Sequence, residues 1–146
     1  QRRFNRTNLK MREEKKKANN MIRFAITAGA VLAGLSVILG AFGAHTIADT
    51  VSAERLETWH TAAKYLMSHG QALILVGILA QVFKKPLKWT VILLFSGTCV
   101  FSSSLFLLVI TDTPWLGAIV PIGFFLIISG WLSLAAVSMN QFFSKK

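Results

Sequence analysis

The sequence predicts an all-α integral membrane protein, a four-helix bundle whose helices each cross the bilayer once. Four long runs contain no Asp, Glu, Lys or Arg: residues 24–44, 65–83, 89–110 and 115–137. A helix rises about 1.5 Å per residue and the bilayer core is roughly 30 Å thick, so each run is long enough to span it. The mean hydropathy of +0.55 agrees with a chain that is nearly all membrane domain. Charged residues are confined to the chain ends and to the connections between the runs, which a soluble fold would not show.

The distribution of basic residues predicts that both chain ends lie on the cytoplasmic side (N-in/C-in). In that orientation 14 of the 16 lysines and arginines lie inside, and only Arg55 and Lys64 lie outside. This is the asymmetry that the positive-inside rule describes. Trp89 and Trp115 begin the third and fourth runs, where indole rings favour the headgroup zone. We expect the inner (cytoplasmic) membrane of a cell, with the mitochondrial inner membrane as the alternative.

Residues 1–20 form a basic N-terminal tail that precedes a four-span domain over residues 21–146. The tail has eight basic and two acidic side chains and no apolar periodicity. In isolation such a segment is expected to be disordered. Its charge predicts attraction to anionic lipid, or docking on an acidic surface of a partner. Because the net charge of +10 is concentrated at the ends of a membrane protein, it does not predict nucleic-acid binding.

The connections between the runs are unequal in length. The apolar core of the first run exceeds the usual 7–15 residues of a signal peptide, so we expect a permanent span. A long first outer loop follows, from residue 45 to 64, but Ser52 is a candidate N-cap with Glu54 in the next turn. The second helix is therefore predicted to begin early and to run over 53–83. Residues 84–88 and 111–114 form tight turns, and Pro121 is expected to kink the fourth helix.

Small residues in the runs predict close helix packing, because membrane helices associate through van der Waals contact and hydrogen bonds. The stripes are Ala25, Gly29 and Ala33, then Ser36, Gly40 and Ala44, with Gly97, Ser102, Ser103, Ser104, Gly117, Gly123 and Gly130 in the second half. Cys99 lies within the third run and is expected to pack as a small apolar residue.

His45 and His69 are the candidate residues for chemistry. His45 ends the first span, and His69 shares a helix face with Tyr65 four residues earlier. If the two imidazoles meet, they could hold a haem or a metal, or handle protons. The favoured interpretation is structural, with each ring hydrogen-bonded to a neighbouring carbonyl, and no cofactor or metal is predicted.

Missing groups exclude several classes of function. No ionisable carboxylate or amine lies within the four runs, which argues against proton-coupled transport. The sequence has no nucleotide-binding loop, serine-nucleophile elbow or metalloprotease motif, so an enzyme is not expected.

Several motifs resemble one known family. They are Gly40-Ala41-Phe42-Gly43-Ala44-His45, Trp59, Tyr65 with His69, Phe101-Ser102-Ser103-Ser104-Leu105, Pro121-Ile122-Gly123 and Gly130-Trp131. They are similar to the YgdD-like family of small membrane proteins (domain of unknown function 423), which includes transmembrane protein 256. The resemblance covers about residues 21–137. It implies a fold, a topology and a set of motif or packing residues, but no reaction.

These observations favour a non-catalytic membrane protein, an accessory or structural subunit of a larger inner-membrane assembly such as a respiratory complex. Its expected partners are the lipid bilayer and other membrane subunits. Two alternatives stay open: a small-solute transporter or channel lined by His45, His69 and residues 102–104, and a haem-binding membrane protein.

Overall fold

The computed structural model describes residues 2–143, which form four helices in an up-and-down arrangement. They are α1 (Arg2–Phe42), α2 (Ala53–Phe83), α3 (Lys88–Thr111) and α4 (Val120–Phe143). Each is long and apolar enough to cross a membrane, and no strand occurs within the described range. The all-α, four-span prediction is confirmed.

Four crossings return the end of α4 to the side on which α1 begins. We call this side the inner end and the opposite side the outer end. Lys145 and Lys146, which contribute to the predicted orientation, lie outside the described residues. The assignment of the inner end to the cytoplasm stays a prediction.

The basic segment of residues 2–20 is part of α1, although disorder was expected for it in isolation. Its Arg, Lys, Glu and Met side chains are strong helix formers. Because the membrane span already supplies a helical nucleus, the segment extends an existing helix without the cost of starting one. The 41 residues of α1 measure about 62 Å, roughly twice the thickness of a bilayer core.

The long outer loop expected over residues 45–64 is mostly helical. A π-helical turn, Gly43–Ile47, prolongs α1, and residues 48–52 make the turn into α2. The Ser52 side chain accepts a hydrogen bond from the Arg55 backbone N–H at 3.3 Å. The predicted cap and the predicted range of α2 are confirmed.

Two of the helices end at a residue in the left-handed backbone conformation. Lys84, with φ of 52°, closes α2 by donating its backbone N–H to the carbonyls of the preceding turn. Asp112, with φ of 47°, closes α3, and a 3-10 turn over Pro114–Ala118 leads into α4. The predicted kink at Pro121 is wrong. Pro121 is the second residue of α4, where the first-turn N–H groups have no acceptor within the helix, so a proline fits without distortion.

Neighbouring helices meet at glycines. At the α1–α2 contact Gly29 lies against Gly70, and at the α3–α4 contact Gly123 lies against the backbone of Phe101. A Cβ at Gly97 or Gly130 would also approach atoms of the facing helix to 3 Å or less. Four of the glycines for which close packing was predicted thus lie at helix contacts, namely Gly29, Gly97, Gly123 and Gly130, whereas Gly70 was not among the predicted residues. Within residues 2–143, α1 and α4 share no extended contact, so the helices pack in chain order.

The prediction that Gly40 and Ala44 pack against another helix is wrong. Apart from the adjacent backbone of α1, no atom lies within 4 Å of a Cβ built on Gly40, and Ala44 is exposed. Four residues of a helix make one full turn plus about 40°. Residues spaced by four after the buried Ser36 therefore point about 40° further from the buried face at each step. Gly43, seven residues after Ser36, returns to the buried face instead.

Candidate functional site

His69 is a buried imidazole at the centre of the bundle, with 7% of its surface exposed. Its Nδ1 lies 2.9 Å from the Tyr65 carbonyl oxygen, one helical turn earlier, and 3.2 Å from the Ser68 hydroxyl. The Trp131 indole N–H of α4 donates to Nε2 at 3.3 Å. His69 therefore joins α2 to α4.

Aromatic rings surround this imidazole. The Tyr65 ring stacks on it with centroids 5.5 Å apart and an interplanar angle of 14°, as their shared helix face predicted. Tyr65 also lies 4.4 Å from the ring of Phe101 on α3, and Trp131 meets His69 edge-on at 6.1 Å. Rings from α2, α3 and α4 thus form one aromatic cluster, in which Tyr65 and Trp131 contact His69 directly and Phe101 contacts Tyr65.

This hydrogen-bond pattern uses both ring nitrogens of His69, one within α2 and the other toward α4. A carbonyl can only accept and an indole N–H can only donate, so Nδ1 carries the proton and Nε2 is the acceptor. Both nitrogens of this neutral tautomer are occupied by protein groups. Iron or another metal at Nε2 would have to displace Trp131. Among residues 2–143 no cluster of three or more His, Cys, Asp or Glu side chains could hold a metal ion.

His45 does not join His69. It is exposed in the π-helical turn, beside Gly43, which packs against Trp59. Trp59 precedes His69 by ten residues, or about 15 Å along α2. The structure does not bring together the imidazole pair on which the haem, metal and proton hypotheses relied.

The serine run of α3 is divided between three environments. Ser102 is buried and donates to the Ala62 carbonyl of α2 at 3.0 Å. Ser104 is also buried but donates within its own helix to Val100 at 2.6 Å. Ser103 is exposed and bonds the carbonyl of Cys99. The three hydroxyls therefore do not line a common path.

A second cluster, at the outer end, is centred on Trp59. Its indole N–H donates to the Leu39 carbonyl of α1 at 2.8 Å, and its ring lies edge-on to Phe106 at 4.6 Å. Phe42 approaches the same indole at 6.0 Å. Gly43 is required here because a Cβ would collide with the indole ring. The family motif contains Phe42, Gly43 and Trp59 but neither Leu39 nor Phe106, and reasoning from residue types alone missed the cluster. The available signal was a tryptophan within a polar outer segment.

The remaining motif residues position α4. Pro121 lies in its first turn, and Gly123 and Gly130 bring the helix against α3. Trp131, next to Gly130, is thereby placed where its indole reaches His69. The predicted motif therefore includes both residues of the Trp131–His69 contact and the glycines that let α4 approach α3.

Comparisons with known proteins agree on one family. A family model described as a protein of unknown function (DUF423) matches residues 39–123. A UPF0382 membrane protein of Staphylococcus haemolyticus is 40% identical over 113 residues, which cover 77% of this chain and 93% of the relative. A relative in Staphylococcus saprophyticus is 42% identical over 109 residues, 75% of this chain and 91% of its own length. No solved structure gives a significant match.

Proposed function

The chain belongs to the DUF423 family of membrane proteins, and we propose that it is a non-catalytic accessory subunit of a larger assembly in a bacterial cytoplasmic membrane. The larger assembly would be, for example, a respiratory complex. The relatives named above are bacterial membrane proteins, which supports this location over a mitochondrial one.

One observation carries the non-catalytic part of the proposal: polar side chains in the helix interfaces bind other groups of this chain. Ser36 donates to the Ala63 carbonyl at 2.8 Å, and Ser102 donates to the adjacent carbonyl of Ala62. Thr90 and Ser133 join α3 to α4 at 3.0 Å. Each such bond contributes about 0.6 kcal/mol in a membrane bundle. Hydroxyls used in this way hold helices together and are not available to a solute or a substrate.

A second observation supports binding to a neighbouring membrane protein. α1 packs along one face against α2, while Ala30 and Gly34 lie on its exposed face. Apart from the adjacent backbone of α1, no atom lies within 4 Å of a Cβ built on Gly34. Small residues on a lipid-facing surface allow another helix to approach closely. The basic extension of α1 gives the same helix a charged contact beyond the membrane.

Co-purification in mild detergent, followed by mass spectrometry, tests the subunit role. The full chain is expected to retain the same membrane partners in repeated isolations, and Gly34→Leu is expected to release them. Val82→Leu changes an exposed residue of α2 and is the matched control. Isolation of the full chain as a single small oligomer without partners would contradict the proposal. Solute flux in liposomes containing that oligomer would favour a channel instead.

The basic extension of α1, residues 2–20, is tested separately. We propose that Arg6, Lys10 and Arg12 dock on an acidic partner surface, since all three are exposed and none has a carboxylate partner among residues 2–143. Replacing all three with Gln is expected to weaken partner retention at low salt, because charge contacts are screened at high salt. If the triple variant and the unaltered chain retained their partners equally at every salt concentration, this part of the proposal would be wrong.

The proposed orientation is tested by cysteine labelling in a Cys99→Ala background. Asp112→Cys lies at the outer end and Lys85→Cys at the inner end. With the inner end in the cytoplasm, a membrane-impermeant thiol reagent added to intact cells is expected to label only the Asp112→Cys protein. Labelling of the Lys85→Cys protein alone would reverse the orientation.

A further inference from the structure

At the inner end, the structure forms a groove where the basic extension of α1 enters the bundle. Its volume is about 690 Å³, and it lies between residues 14–24 of α1 and the start of α3. Met21, Phe24 and Pro86 supply apolar surface to the groove, and Lys15, Lys17 and Lys88 supply positive charge. Glu14 is the one carboxylate among its lining residues.

The groove lies at the boundary between headgroups and hydrocarbon. Phe24 is the first residue of the charge-free run of α1, and its ring meets that of Phe95 on α3 edge-on at 5.1 Å. Trp89 is 67% exposed, as expected for an indole at the membrane surface, and the Lys88 ammonium lies 5.6 Å from its ring centroid. An occupant of this groove therefore meets lysines near the headgroup level and the Phe24 ring closer to the hydrocarbon.

A second groove of about 530 Å³ adjoins the first, and Lys15 and Pro86 line both. It adds Lys84 and Lys85 from the turn after α2. The two grooves together have five lysines and one glutamate. Among residues 2–143 none of these lysines forms an ion pair with a carboxylate. The site thus has a surplus of positive charge that the chain itself does not neutralise.

We propose that this groove binds an anionic phospholipid. The phosphate lies among Lys15, Lys17 and Lys88, and an acyl chain follows Met21 and Phe24 toward the bilayer core. Basic pockets between membrane helices on the cytoplasmic side suit such headgroups. The apolar floor favours a lipid over a purely polar anion, since neither free phosphate nor a polyglutamate peptide has an apolar group that would cover Phe24. This inference does not depend on the accessory role.

Native mass spectrometry of the full chain provides the test. Phosphatidylglycerol and phosphatidylcholine with identical acyl chains are titrated into the detergent-solubilised protein. Phosphatidylglycerol is expected to bind at least tenfold more tightly. Since each lysine near anionic lipid contributes on the order of a fivefold gain in affinity, Lys17→Gln with Lys88→Gln is expected to lower affinity roughly thirtyfold.

The control removes equal charge outside the groove. Arg6→Gln with Lys10→Gln is expected to leave phosphatidylglycerol affinity within about twofold, because neither residue lines the groove. An equal loss in both double variants would show general attraction to a basic protein and would overturn the site. Equal binding of the two lipids by the unaltered chain would overturn it as well.

Two further measurements distinguish a lipid from other anions. Phe24→Asn retains all the lysines and is expected to weaken phosphatidylglycerol severalfold, since it places a polar amide beside the acyl chain. Displacement of the lipid by glycerol 3-phosphate at similar concentration would show that the headgroup alone binds. Displacement by a polyglutamate peptide at similar concentration would indicate an acidic protein partner. Either displacement contradicts the proposal.

Discussion

The two ends of the bundle are built in opposite ways. At the outer end, Trp59 is only 1% exposed and donates to α1, and Arg55 of α2 forms an ion pair with Asp112 after α3 at 2.7 Å. At the inner end, Trp89 is exposed and the lysines around Pro86 have no carboxylate partner among residues 2–143. At the outer end these three side chains are therefore bound to other groups of the fold, while at the inner end Trp89 and these lysines face the surroundings.

This difference indicates where binding to other molecules should be sought. A side chain whose hydrogen bonds and charge are matched within the fold contributes to stability, and removing it lowers the free energy of unfolding. A side chain without an internal partner can be replaced at little cost to stability. Substitutions at the outer end should thus affect stability, and those at the inner end should affect ligand or partner binding. Paired variants at matched positions test this division.

The largest effect is expected at Gly43. Gly43→Leu would force a side chain into the Trp59 indole and is expected to lower the free energy of unfolding by about 3 kcal/mol. Gly40→Leu, three residues earlier, faces open space and is expected to change stability by less than about 0.5 kcal/mol. Unfolding in a detergent titration measures both. If the two variants had equal free energies of unfolding, the tight packing of Gly43 against Trp59 would be contradicted.

The next largest difference in stability is expected between substitutions of Trp59 and Trp89. Trp59→Phe removes the donor to the Leu39 carbonyl and leaves a gap in a buried site, so a loss of about 2 kcal/mol is expected. Trp89→Phe alters an exposed ring and is expected to cost less than about 0.5 kcal/mol. The same titration applies, with Trp emission as the probe in each variant. A larger loss at Trp89 would reverse the contrast between the two ends.

A smaller effect is expected within the serine run. Ser102→Ala removes the hydrogen bond to α2 and is expected to cost about 0.6 kcal/mol. Ser103→Ala removes only a bond within α3 on an exposed surface, so little change is expected. Thermal unfolding in one detergent compares the pair. If the Ser103 variant were the less stable of the two, Ser102 would not be the interhelical contact that holds α2 to α3.

Local signals in the sequence predicted much of the fold. Uncharged runs mark the spans because a bilayer excludes charge, and the cap at Ser52 correctly placed the start of α2. Both depend on neighbouring residues, so they can be read without knowing the tertiary structure. The helical state of residues 2–20 was less evident, because it depends on continuation from a span and not on the composition of the segment alone.

The candidate site was harder to predict because its contacts join distant residues. The shared face of Tyr65 and His69 followed from their spacing, but the bond from Trp131 depends on how α4 crosses α3. Likewise, the choice of Gly43 over Gly40 as the buried glycine depends on helix rotation over several turns. Residue types identified these motif positions, and only their placement showed which partner each one contacts.

The smallest effect is expected for the charges at the two ends. Arg55→Gln breaks the ion pair with Asp112, and since the pair is solvent-accessible the loss should be about 0.5 kcal/mol and should fall as salt is added. Lys88→Gln removes a cation that contacts the Trp89 ring but has no carboxylate partner among residues 2–143, so the stability in neutral detergent is expected to fall by no more than about 0.5 kcal/mol. Addition of phosphatidylglycerol should stabilise the unaltered chain more than the Lys88 variant, because a ligand stabilises the state that it binds. The Arg55 variant should gain as much from that lipid as the unaltered chain does. If the lipid discriminated against the Arg55 variant and not the Lys88 variant, the anionic ligand would lie at the outer end, and the contrast between the two ends would be reversed.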